Sequence, residues 1–263
     1  MTSGIEISIQ DQVQIIRFAR PEKKNAFTAA SYTAMTEALA AGDASGDVAV
    51  HLFVGSERVF TAGNDIGDFL ASAEAGGGGQ GLSQPVRGFI RALPRVQKPM
   101  IAAVDGLAVG IGTTLMFHCD LVYATPEASF RTPFVDLGLV PEAGSSLLGP
   151  RRMGYARAFQ LLVLGEPMSS TEAREAGLVN AIVAAEELEA AALTAGARLA
   201  RKPPGALKAA RALMRGSPDE IVNQIDAEAR VFSERMSSPE AKEAFQAFLE
   251  KRAPDFTKIR SKG

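Results

Sequence analysis

The chain has 263 residues, 46% hydrophobic and 22% charged, with a net charge of −2. That balance fits an ordinary soluble protein; it offers neither a basic patch for nucleic acid nor an apolar run long enough for a membrane span. Cys119 is the only cysteine, which excludes an internal disulfide framework and cysteine-rich metal sites.

The N-terminal MTSGIEISIQ lacks the basic-then-apolar layout of a secretory signal, so a cytoplasmic location is expected. Ile5, Ile7 and Ile9 alternate with polar residues and Val13–Phe18 is a second β-rich run, which predicts a hairpin turning at Gln10-Asp11-Gln12. Thr28 can cap a helix reaching about Ala41, with Tyr32, Met35 and Leu39 on one face. Residues 42–46 read as a loop and residues 48–54 as a buried strand. After the loop Phe60-Thr61-Ala62-Gly63-Asn64-Asp65, residues 66–73 suit a short helix and residues 75–84 a glycine-rich surface loop. GGGGQG satisfies the GxGxxG pattern, but no strand precedes it, so a dinucleotide site is set aside.

Residues 85–93 suit a helix that Pro94 stops. The stretch over residues 101–146 then carries most of the chemistry. An apolar strand (101–104) ends at the turn Asp105-Gly106, and Gly110 and Gly112 precede a helix-compatible segment, residues 113–119. A second apolar run, Leu121–Ala124, leads to Pro141-Glu142-Ala143-Gly144. Glu142 stands beside Phe134, Leu139 and Val140, an apolar surround that would raise its pKa toward the range useful for proton transfer. The plainer alternative is a helix-start charge that complements the dipole. Residues 155–164 read as a helix, Ser170 or Thr171 caps another that ends at Gly177, and residues 178–183 read as a last strand. From Glu186 on the pattern is helical, broken at Lys202-Pro203-Pro204 and Gly216-Ser217-Pro218. This change in pattern divides the chain into residues 1–200 and a helical region, residues 201–263.

Several motifs, in order along nearly the whole chain, resemble the enoyl-CoA hydratase/isomerase (crotonase) superfamily. They are Arg20-Pro21 with Asn25-Ala26, the Phe60–Asp65 loop, Gly106 with Gly110-Ile111-Gly112, and Cys119-Asp120. Ala128-Ser129-Phe130 with Pro133, Gly138 with Pro141, and the tail Phe248-Leu249-Glu250-Lys251-Arg252 with Phe256 complete the set. The resemblance implies an α/β fold, a spiral of ββα turns holding an acyl-CoA site, followed by a C-terminal helical trimerisation region. It implies a homotrimer or dimer of trimers acting on an acyl-CoA thioester, with no metal and no cofactor beyond the coenzyme A of the substrate.

By the same resemblance, the backbone N–H groups of Asn64 and Ile111 form an oxyanion hole for a thioester enolate, and nearby glycines permit close backbone approach. Those glycines would also suit plain helix–strand packing. Lys24, Ala26, Ala62, Asp65, Gly110, Thr114 and Phe134 are the implied substrate-binding positions, although Lys23 and Lys24 could be simple surface charges and Asp65 could brace its loop. Hydratases of the superfamily carry two glutamates at the positions that hold Thr114 and Phe134 here, whereas Glu142 matches the single glutamate of Δ3,Δ2-enoyl-CoA isomerases. The expected function is therefore conversion of 3-enoyl-CoA to 2-enoyl-CoA with Glu142 as proton shuttle. The alternatives are a hydratase or other acyl-CoA lyase in which Asp136 assists, and a non-catalytic acyl-CoA-binding protein. His51 and His118 lack spaced partners and read as structural.

Overall fold

A computed structural model describes residues 3–65, 67 and 82–260. The expected helix over residues 66–73 (Gly67 apart) and the run Gly76 to Gly79 fall outside them. The hairpin forms as β1 (Ile5–Gln10) and β2 (Val13–Phe18), joined by Asp11 and Gln12 at φ 48° and 63°. Two successive left-handed residues give the tight turn whose twist suits an antiparallel pair.

From β2 onward the chain winds as a spiral. β3 (Val50–Val54), β5 (Met100–Val104), β7 (Leu121–Ala124) and β10 (Ala181–Ile182) extend a six-stranded sheet in the order β1-β2-β3-β5-β7-β10, parallel throughout except for β1. β4 (Val59–Thr61), β6 (Leu107–Val109), β8 (Ser129–Arg131) and β9 (Met168–Ser169) build a second sheet, of which only β9 runs antiparallel. α1 (Ala29–Ala44) follows the hairpin; β3 and β4, then β5 and β6, each give one strand to each sheet before α2 (Gln84–Ala92) and α3 (Ile111–Thr114) carry the chain on. This is the ββα spiral that the resemblance implies.

Burial explains the strands. All five residues of β3 and of β5 are buried, because both faces of the large sheet are covered. Phe53, Met100, Ala102 and Val104 join the main core, while Leu52, Val54, Ile101 and Ala103 face a second cluster built with Leu188, Ala192 and Ala195 of α7 (Leu188–Ala200). α1 begins as expected, with Thr28 and Ser31 in a reciprocal cap, but continues to Ala44 through Gly42. A Cβ at Gly42 would lie 2.5 Å from Gln14 Oε1 and 2.7 Å from His51 Cε1, so the helix can pass the buried Gln14–His51 pair only at a glycine.

Other expectations shift. The helix over residues 155–164 divides into α5 (Tyr155–Phe159) and a wider π turn, Gln160–Leu164. The last strand keeps only Ala181–Ile182, and α6 (Ser170–Glu175) is capped by Ser169 rather than Ser170 or Thr171. α4 (Ser145–Met153) follows the Glu142 turn. Beyond α7 come α8 (Pro204–Arg215), α9 (Pro218–Met236), α10 (Pro239–Leu249) and α11 (Thr257–Arg260). Ile221, Ile225, Ala229 and Phe232 of α9 join the main core, so this region is packed onto the spiral.

Candidate active site

The loop after β4 and the turn after β6 leave neighbouring parallel strands of the small sheet and meet. A Cβ at Gly63, at φ 86°, would lie 2.7 Å from the Val109 carbonyl oxygen, and one at Gly112 would strike Thr61. Here the glycines serve close approach of two backbones, and the candidate site lies where the two meet.

The amides around this junction are mostly committed. Gly63 N–H donates to Thr61 Oγ1 at 3.0 Å, Asp65 N–H to Phe27 O at 2.9 Å and Gly110 N–H to Arg131 O at 2.9 Å. Thr113 and Thr114 N–H both donate to Gly110 O at 2.9 Å. No acceptor among the described residues takes the N–H of Asn64 or Ile111. Two uncommitted amides on abutting loops are the arrangement that stabilises a developing oxyanion. The Asn64 side chain is held by the hydroxyl of Tyr32, buried on α1.

The helix at this junction is short. α3 starts at Ile111, two residues earlier than expected, lasts four residues and tightens into a 3-10 turn, Leu115–Phe117. One turn carries little macrodipole, so the amides themselves supply the donor strength.

Glu142 is 4% exposed, and one of its oxygens accepts the Thr114 hydroxyl at 2.6 Å. Burial pushes its pKa up to about 8, the Thr114 hydrogen bond opposes that rise, and the charge of Glu228 adds to it. Glu142 is not the cap of the following helix: Gly144 and Ser146 at the start of α4 donate to Glu228 of α9, at 2.6 and 3.0 Å. The dipole-complementing reading thus belongs to Glu228. Ala143 and Gly144 are both left-handed, at φ 58° and 72°, and His118 bonds the Ala143 carbonyl at 2.7 Å through Nε2. Burial drives the His118 pKa down to about 3, so it is neutral and Nε2–H is the donor.

The remaining expected residues are placed as follows. Phe134 is buried in the main core with Leu139, and Val140 packs against it. Ala26 is buried, and the exposed Lys24 contributes its carbonyl, which accepts Ala62 N–H at 2.9 Å. Asp65 pairs with Arg20 at 2.8 Å, bracing its loop. Asp136 is half exposed and pairs with Arg131 at 3.2 Å, making no contact with Glu142. Cys119 is sealed, its thiol pushed up to about 12 chiefly by burial. Sequence reasoning missed Glu228, Tyr32 and the Thr114–Glu142 bond. Glu228 left a readable signal, an acid on the apolar stripe of Ile221, Ile225, Ala229 and Phe232.

The pattern of the family described as Enoyl-CoA hydratase/isomerase matches residues 8–259. A probable enoyl-CoA hydratase of Rhodobacter capsulatus is 34% identical over 96% of this chain and 97% of its own. Enoyl-CoA delta isomerase 2 of Rattus norvegicus is 31% identical over 94% of this chain and 64% of its own longer one. The crystal structure of an enoyl-CoA hydratase/isomerase from Pseudoalteromonas atlantica superposes with a TM-score of 0.89 at 35% identity, covering 97% of this chain and 100% of that one. With the spiral, the abutting amides and these likenesses together, the chain belongs to the enoyl-CoA hydratase/isomerase family of enzymes.

Proposed function

We propose that the protein is an acyl-CoA double-bond isomerase that converts a 3-enoyl-CoA to the conjugated 2-enoyl-CoA. The observation that carries this reading is the buried carboxylate of Glu142, bonded to the threonine that stands where hydratases hold a glutamate. The ionised carboxylate takes a proton from C2. The electrons delocalise into a dienolate whose oxygen rests on the Asn64 and Ile111 amides, and Glu142 returns the proton at C4. The double bond moves from C3–C4 to C2–C3, and the carboxylate is regenerated. A pKa near 8 suits both steps, because the group is a competent base when ionised and a competent acid once protonated. Proton transfer of this kind needs no metal or redox cofactor, so coenzyme A enters only as part of the substrate. Lys24, Ala26, Ala62, Asp65, Gly110, Thr114 and Phe134 remain the proposed substrate contacts, with Asp136 outside the proton path.

Assembly as a homotrimer or dimer of trimers through residues 201–263, in the cytoplasm, is part of the proposal. Leu213, Met214, Phe248 and Leu249 leave apolar surface there for neighbouring subunits. Hydration of a 2-enoyl-CoA is the second reading, favoured by the name of the Rhodobacter relative, a probable enoyl-CoA hydratase. One experiment separates them. Wild type and Glu142→Gln are given 2-enoyl- and 3-enoyl-CoA of several chain lengths, and the products are identified. We expect 2-enoyl product from the 3-enoyl substrates, lost by about 10²–10⁴-fold in the variant with ligand binding retained. Retained isomerisation in Glu142→Gln, or 3-hydroxyacyl product as the main outcome, overturns the assignment.

A further inference from the structure

α9 carries a second buried carboxylate that the reaction above does not use. Glu228 is 6% exposed on an otherwise apolar stripe, a costly place for an acid unless its oxygens are bonded. They are. One oxygen accepts Gly144 N–H at 2.6 Å; the other accepts Ser146 N–H at 3.0 Å and also the Ser146 hydroxyl. The direction of this last bond is set by Gln224, whose amide nitrogen donates to Ser146 Oγ at 2.9 Å and leaves the serine hydrogen for Glu228. Burial raises the pKa of Glu228, and three donors converging on the one carboxyl group oppose that rise, as the partners of an ionised carboxylate do.

Of the other charges on and around α9, Arg230 and Glu234 are exposed and several more pair with one another. Arg91 pairs with Asp226, Arg95 with Asp219, Arg151 with Glu220 and Arg235 with Glu240, all on the more exposed flanks of the helix. His118, on the other side of the Ala143 turn, is neutral. Among the described residues no cation reaches Glu228, so its charge faces the Glu142 turn unneutralised.

We propose that Glu228 is the positioning residue of the proton shuttle: it pins the left-handed Ala143-Gly144 turn from behind and sets a like charge beside Glu142. The proposal rests on the reading that Glu142 carries the proton. Pinning the turn fixes the carboxylate over the substrate. The like charge strengthens Glu142 as a base, adding to the effect of burial and working against the Thr114 hydrogen bond.

The test reads Glu142 directly, without substrate. The carboxyl band of the protein labelled with ¹³C-glutamate is followed by infrared spectroscopy against pH, with Glu142→Gln assigning the signal. In Glu228→Gln the Glu142 midpoint is expected to fall by about half to one pH unit, and the pH–rate profile for isomerisation to move with it. Glu228→Asp keeps the charge but shortens the reach, so the midpoint should stay near wild type while kcat falls. An unmoved midpoint in Glu228→Gln, or an equal fall in Glu228→Asp, overturns the proposal, the latter because loosening alone would then explain it. If Glu228→Gln fails to fold, the same change in a Ser146→Ala background meets one donor fewer and takes its place. A midpoint that shifts as expected in a protein that turns over no 3-enoyl-CoA would sink the isomerase reading and leave the electrostatic role standing.

Discussion

The two halves of the site are held by different kinds of contact. The amides of Asn64 and Ile111 are fixed by backbone bonds and by glycines that let two loops touch. Glu142 is fixed by side chains from three elements: Thr114 on α3, His118 after it, and Glu228 on α9. A backbone-built half tolerates many side chains but no added bulk at its contacts. A half built from side chains can be retuned by single substitutions without moving the chain.

The largest effect should come from breaking the backbone half. Gly63→Ala places a methyl against the Val109 carbonyl at a left-handed position, which forces the loops apart; kcat should fall by about 10²–10³, as when an oxyanion donor is lost. A Gly63→Ala enzyme at full rate would show that the junction is mere packing.

Thr114→Val tests the other half. Removing the hydroxyl takes away the contact that lowers the Glu142 pKa, so the pH profile of kcat/KM should move to higher pH. The rate near neutrality should fall about tenfold. A shift to lower pH would contradict the geometry.

Stability offers a reading independent of turnover. The Glu142 pKa rises from 4.5 to about 8 on folding, so between those values the native state binds more protons than the unfolded one. The contribution is full below about 4.5 and is lost as pH rises through about 8. Thermal melts of Glu142→Gln should therefore gain on wild type as pH rises across that window; a constant difference would argue that Glu142 ionises normally.

The smallest effect is expected at Asp136, whose exposed pairing with Arg131 contributes little. Asp136→Asn should keep kcat/KM within about twofold of wild type, since it touches neither half of the site. A large loss would restore the assisting role.

The parts legible in the sequence were those with long periodicity or a local signature. The hairpin, the Thr28 cap and the buried β5 and β7 all announce themselves within a few residues. β4, β6, β8 and β9 do not, because two or three residues show no period and become strands only by pairing with partners far along the chain. α1 overran its expected end because a glycine that normally stops a helix is used here to pass His51. At the site, residue identity pointed to Glu142 and to the two loops. The direction of the Thr114 hydroxyl and the reach of Glu228 across 84 residues to Gly144 depend on tertiary placement, which no spacing rule supplies.

The small sheet has a further consequence. β4, β6 and β8 lie side by side and parallel, so the segments that follow them emerge together at one end. The first two exits carry the amides; α3, after the second, also carries Thr114; and the third leads through Phe134 to Glu142. Positions 114, 134 and 142 therefore all follow exits at the same end of one sheet, so the acid to which the proposal gives the proton sits at the end where the two amides are displayed.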